Sequence, residues 1–240
     1  MVTVERQSSL NSEICAVDSR PRFMQTMKHV GREFSFEHAT VMIAPTSDDA
    51  LLAPLVLEST ISAEFVREFD RYRFLRHCPV IPKMNYSVVP HCWTILKSGG
   101  AATVVYPVKM ATLMQRYALV TSVIFPMNST DGSRFFLRFD GSRCLLSQPE
   151  LNELGMIALH LFDVFDTLRR NQPASPSLLS IRELEVLRWT AQGKTSIEIG
   201  QILSLSDHTI NAYMTNAIRK LDCVNRTQLV AKAIRLKLIA

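Results

Sequence analysis

Between Asp207 and Leu221 the side chains sort onto two faces. Ile210, Met214, Ala217, Ile218 and Leu221 recur at helical spacing, while His208, Asn211, Ala212, Thr215, Asn216 and Arg219 fall opposite. An asparagine amide can donate to and accept from one adenine edge at once, and a small apolar group suits the thymine methyl. Lys194, Thr195, Thr209, Arg219 and Lys220 are placed for phosphates, which fix register rather than sequence. A solvated helix surface would use the same residue types, so the chemistry turns on what holds this helix in place.

Residues 180–239 supply that frame as four short amphipathic helices, each with its own start signal. Ser180 stands three residues before Glu183, Thr195 before Glu198 and Asn225 before Gln228, the spacing of a capping box. Ser206 before Asp207 gives a fourth cap with an acid in the first turn. Gly193 suits the stop of the first helix. Helices this short cannot stand alone and must share one core. The sequence predicts a helix over 195–203, a turn over 204–206 and a second helix over 207–221, whose polar face is free to enter a major groove.

The strings RELEVL at 182–187, GKT at 193–195, EI at 198–199, TI at 209–210, NAIRKL at 216–221 and NRTQ at 225–228 run through this segment without gaps. On these residues the segment resembles the LuxR-type helix-turn-helix. Tyr213 departs from the histidine often found there, a change expected to leave the fold intact. The resemblance implies that Asn211, Ala212 and Thr215 read bases, with Asn216 on the same face. It also implies a homodimer or a heterodimer with a related regulator on double-stranded promoter DNA, with RNA polymerase as a partner. The last helix, 226–238, would close the core and could supply a dimer surface.

Charge agrees with that expectation. Of a net +5, residues 176–240 hold nine Lys/Arg against five Asp/Glu, so most of the excess sits on the segment that would meet phosphates. The chain has 240 residues, 47% of them apolar and 20% charged, enough for two modest soluble domains. Five scattered cysteines suit reduced thiols in a cytoplasm rather than a disulfide framework. No apolar run reaches membrane-span length and no signal-like start appears.

Upstream, residues 1–20 are expected as a loose arm or a short helix. Helices follow over 21–34, 61–76, 107–117 and 147–170, and strands over 38–44, 52–58, 118–127 and 134–140. Residues 128–132 signal a hairpin, the prolines at 79, 82 and 90 a loop, and 98–100 a break. The expectation is an α/β domain over 1–170, layered α-β-α around an antiparallel sheet, a linker over 171–177, and an all-α four-helix domain over 178–240.

Length and layering of the first domain resemble the acyl-homoserine-lactone-binding domain of LuxR-type regulators. That family's pocket pattern, Y-x3-W-x3-Y-x8-D-P-[VI]-x12-W, falls without gaps on Ile61, Phe65, Phe69, Cys78-Pro79-Val80 and Trp93. The resemblance makes Phe65, Phe69, Cys78 and Trp93 the candidate ligand residues. The spacing survives and much of the chemistry does not. Cys78 is a weak acceptor where the family has a carboxylate for the ligand amide, Phe65 has no indole donor, and Ile61 and Phe69 lack hydroxyls. Each lost partner costs about 1–3 kcal/mol. The pocket should therefore be more apolar than the family's, and either takes a less polar ligand or is filled by its own side chains. The first half also resembles the VisN and VisR motility regulators, which act without lactone in pairs.

Other chemistry finds little support. His77-Cys78 and His91-Cys92 are adjacent pairs without the spacing of a zinc site, so no metal or other cofactor is expected. A Cys78 nucleophile with His77 lacks an orienting carboxylate and an oxyanion loop in sequence, so an enzyme is not expected. No phosphate loop, dinucleotide fingerprint or aspartate-rich receiver pattern is present.

Overall fold

The structure is a computed structural model that describes residues 2–96, 102–171, 179–236 and 238–239, with side chains left aside at 2–5 and 235. The chain divides into two compact units, residues 1–172 and 173–240. All of the expected linker but Asn171, and the expected break at 98–100, lie outside the described residues. Among the described residues no helix is long and apolar enough to cross a membrane.

The first unit is built on a five-stranded antiparallel sheet. Its strands are β1 (His38–Ile43), β2 (Val56–Ser59), β3 (His91–Thr94), β4 (Thr121–Asn128) and β5 (Arg134–Gly141), in the order β2-β1-β5-β4-β3. β4 and β5 are central and covered on both faces, so they read as near-continuous apolar runs. Alternation still decides which side chain goes where. Phe135, Leu137 and Phe139 join one core cluster, and Phe136 joins the other.

The first cluster is covered by α1 (Val2–Cys15), α2 (Arg20–Glu33) and α6 (Gln148–Asn171). Residues 2–15 form a helix that buries Leu10 and Ile14, rather than a loose arm. Arg6 ties it to α6 through Glu153, 2.9 Å from Nε. The second cluster is covered by α3 (Ala63–Arg71), α4 (Ile81–Asn85) and α5 (Val108–Arg116). The result is the expected α-β-α layering.

Two local expectations change. The helix foreseen over 61–76 stops at Arg71; Arg73 takes a left-handed conformation (φ 50°) and a 3-10 turn follows over Phe74–His77. The break lets Phe74 and Leu75 both turn inward, where a continuous helix would have split them. The proline-rich loop holds the short α4 and then β3, which pairs with β4 through Trp93 opposite Ser122.

The second unit packs α7 (Ile181–Ala191), α8 (Ser196–Leu203), α9 (Asp207–Lys220) and α10 (Arg226–Arg235) around one small core. Leu179, Val186, Leu187, Ile199, Ile210 and Leu229 are fully buried in it. Each such side chain contributes about 1.5–3 kcal/mol by leaving water, which is how four helices of 8 to 14 residues hold together.

Candidate nucleic-acid interface and ligand cavity

The caps fix where α8 and α9 begin. Thr195 and Glu198 form a reciprocal capping box, as do Ser180 and Glu183 at α7. The Ser206 hydroxyl accepts from the Thr209 N–H (3.1 Å). At α10 the Asn225 side chain accepts from the Gln228 N–H, but the Gln228 side chain reaches back to the Val224 N–H at 2.7 Å. The reciprocal bond there lands one residue earlier than a capping box requires.

The turn between α8 and α9 is Ser204–Ser206, with Ser204 left-handed (φ 55°) and the Leu205 N–H bonded to the Gly200 carbonyl at 2.9 Å. It swings α9 so that Ile210, Met214, Ala217 and Leu221 enter the core, with Ile218 half-buried. Asn211, Ala212, Thr215 and Arg219 are left exposed together, and Asn216 is half-buried beside them, accepting from Arg219 at 3.3 Å. The Thr215 hydroxyl donates back to the Asn211 carbonyl (2.9 Å), a local bond that leaves its methyl outward.

The residues expected at phosphates do not all share this setting. Lys194 stands at the start of α8 with 42% of its side chain exposed, 3.7 Å from Glu198. Thr195 and Thr209 spend hydroxyls on caps, the first on Glu198 at 2.9 Å and the second with Ser206 at 2.8 Å. Lys220 is a departure. Its ammonium lies 2.7 Å from the buried Glu183 carboxylate on α7, so it ties two helices together. Burial alone would raise the Glu183 carboxyl; the Lys220 and Ser180 bonds outweigh it and leave the group below the usual carboxylate range.

One contributor was not visible in the sequence. The Ser196 hydroxyl, in the first turn of α8, donates to Asn211 Oδ1 at 2.7 Å. It orients the amide from fifteen residues away, a distance no local pattern encodes. On α10, Ala233 is buried and Ile234 is 49% exposed, while Lys237, the fourth member of the stripe foreseen there, lies outside the described residues.

In the first unit a cavity of about 40 Å³ lies between the sheet and α3–α5. Phe65, Phe69 and Cys78 line it, with Ile61 at the same wall. Phe65 and Phe69 pack with ring centroids 5.6 Å apart. Trp93 does not line it. Its indole N–H instead donates to the Tyr106 hydroxyl at 3.1 Å, and it is Tyr106 that faces the cavity.

The expectation of a more apolar pocket needs correction. The helical walls are apolar, but the sheet floor carries Thr40, Ser59 and Arg138. These stand side by side in the register, Ser59 opposite Thr40 and Thr40 opposite Arg138. Arg138 is held by Asp140, 2.7 Å from Nε, and by the Ser122 hydroxyl, 3.2 Å from Nη2. Burial works against its charge and the Asp140 carboxylate more than compensates. Asp140 is fully buried, with Oδ2 unpartnered. The string RFFLRFD at 134–140 held the signal: an Arg and an Asp two apart in a strand otherwise buried on both faces must pair inside.

The two His-Cys pairs are separated by the sheet. Cys78 packs on the second core cluster and Cys92 on the first. Among the described residues no group of three or more His, Cys, Asp and Glu is disposed to hold a metal.

Comparison with known proteins divides the chain in the same way. Residues 19–165 match the family profile described as autoinducer binding domain, and residues 177–233 that described as bacterial regulatory proteins, luxR family. The chain is 29% identical over 222 residues to the transcriptional activator protein BjaR1 of Bradyrhizobium diazoefficiens, spanning 91% of this chain and 90% of that one. It is 34% identical over 131 residues to the HTH-type quorum sensing-dependent transcriptional regulator RpaR of Rhodopseudomonas palustris, 55% of this chain and 54% of that one. In fold it is similar to the crystal structure of Escherichia coli SdiA, with a TM-score of 0.67 over 99% of both chains at 19% identity.

Proposed function

Since the chain belongs to the LuxR family of bacterial transcriptional regulators, with an autoinducer-binding domain ahead of its helix-turn-helix, we propose that it binds a twofold-symmetric promoter site as a dimer in the cytoplasm. Asn211, Ala212 and Thr215 read bases from the major groove, with Asn216 beside them. Lys194, Thr195, Thr209 and Arg219 set the register on phosphates. Lys220 supports the recognition helix instead of touching DNA. Residues 1–170 regulate and dimerise, 171–177 link, and 178–240 bind DNA. The chain acts by binding rather than by catalysis: Cys78 packs into a core cluster while His77 is exposed.

The exposed polar face of α9, held at a fixed angle by the Ser204–Ser206 turn, carries this reading. Selection of random duplexes by the full-length protein tests it. A palindromic consensus whose affinity falls steeply with salt is the expected result. Recovery of no consensus, with equal affinity for all duplexes, would refute base reading by α9.

A second reading concerns the first domain. A cavity of only about 40 Å³ favours a regulator whose pocket is largely filled by its own side chains and which acts with a partner subunit. Operator binding by protein made without any signal molecule, with no small molecule seen by native mass spectrometry, would establish that reading over ligand sensing.

A further inference from the structure

Resting on the reading of the first unit as a ligand-binding domain, we propose that its cavity takes a neutral acyl ester, an apolar tail with an acceptor-only head, and that Arg138 and Tyr106 read the ester oxygens. The argument begins with hydrogens left over. The Tyr106 hydroxyl accepts from the Trp93 indole, which leaves its own proton to give. Burial, then the neighbouring Cys78, push its ionisation well above the usual phenol value, so that proton stays on. Arg138 commits Nε and Nη2 to Asp140 and Ser122, and its Nη1 edge makes no further hydrogen bond among the described residues. Both residues line the cavity, Tyr106 at 6% exposure.

No carboxylate lines the cavity. Cys78 stands there, a weak acceptor, so an amide N–H brought inside would exchange water for a poor partner. A free fatty acid fails for a different reason. Asp140 already neutralises Arg138, and a second carboxylate would be an uncompensated charge in a buried site. A neutral ester has neither defect: two oxygens to accept, no N–H to strand and no charge to bury.

The tail needs more room than about 40 Å³. Met42, Met110 and Met114 line the helical side, and methionine repacks more readily than branched side chains. Leu75, Cys78 and Ile81 line both this cavity and an outer cleft of about 510 Å³, so the thin wall between them is the access route.

The test titrates full-length protein with methyl octanoate, N-octanoyl homoserine lactone and octanoate, following heat release and the shift in melting temperature. The ester should bind at least tenfold tighter than either other probe. Tyr106→Phe and Arg138→Lys should each weaken it about tenfold to a hundredfold. Arg138→Lys keeps a cation against Asp140 and so guards against a fold lost to an orphaned buried acid. Melting temperatures of the unliganded variants, compared with the parent, separate lost contacts from lost structure. Equal or tighter binding of the lactone or octanoate overturns the proposal, as does indifference of the ester to both substitutions or binding of none of the probes. Promoter binding measured on the same samples separates the premise from the proposal. If DNA is bound and every probe is refused, only the ligand assignment falls; if no DNA is bound with or without probes, the regulator reading falls as well.

Discussion

The Lys220 ammonium on α9 lies 2.7 Å from the Glu183 carboxylate on α7, and Glu183 is 4% exposed. The same carboxylate closes the α7 capping box through the Ser180 N–H at 2.6 Å. One buried acid thus sets the start of the first helix and the end of the recognition helix together. Lys220→Met should leave that acid without its cation at a cost of about 1–3 kcal/mol, seen as a lower melting temperature. The slope of log affinity against log salt should not change. An unchanged melting temperature with a slope smaller by about one would return Lys220 to the phosphate contacts.

Acid should loosen the same joint. Glu183 is held below its ordinary value in the folded chain, despite the opposing effect of burial. A group depressed on folding stabilises fully above its unfolded value, about 4.3 for glutamate, and loses that contribution as pH falls through the folded value. Denaturation midpoints measured from pH 7 down to 3 should fall more steeply in the parent than in Glu183→Gln. Glu150, brought to about 2 chiefly by its Arg143 hydrogen bond, adds acid sensitivity in the other unit and is common to both proteins. Parallel curves would mean that Glu183 titrates alike folded and unfolded.

Asn211 and Ser196 form a unit that mutation can take apart. Asn211→Ala should relax preference at one half-site position by about 1–3 kcal/mol, with non-specific affinity and salt slope kept. Ser196→Ala should give a fraction of that loss, because it removes only the hydroxyl that aims the amide. In the Asn211→Ala background it should do nothing more. Equal loss on every sequence would make Asn211 a phosphate contact, and additive losses would make Ser196 an independent one.

What could be read from residue order follows a physical divide. Caps at Ser180, Thr195, Ser206 and Asn225 depend on partners three residues away, so local sequence states them. The inward face of α9 is likewise a matter of period. The strand β3 was hidden because four residues beside Pro90 show no alternation, and its partner lies on β4. The polar floor at Thr40, Ser59 and Arg138 was missed for a related reason. On strands covered on both sides a polar side chain has no outward face to take, and only the sheet register reveals its neighbours. Trp93 kept its place in the spacing while its N–H went to Tyr106, a residue outside the pattern.

Gly200 sets two familiar tendencies against each other. It sits inside α8, where alanine is favoured over glycine by about 1 kcal/mol, and propensity alone would make Gly200→Ala stabilising. A Cβ there would meet the Leu205 carbonyl oxygen at 2.6 Å, in the turn that leads into α9. That oxygen is backbone, and the turn is pinned by the Leu205 N–H on the Gly200 carbonyl and by left-handed Ser204, so it cannot yield as a flexible side chain would. The clash should win, with a net loss of about 1–3 kcal/mol, and the displaced turn should tilt α9 and lower operator affinity further. Gly193 provides the contrast: at φ 82° with nothing within 4 Å, it needs only a residue tolerant of that backbone. Gly193→Asn should therefore stay within about 1 kcal/mol of the parent. Thermal melts and operator titrations of the two variants side by side decide the point. A Gly200→Ala protein as stable and as tight on DNA as the parent would show that the angle between α8 and α9 is not set by this contact.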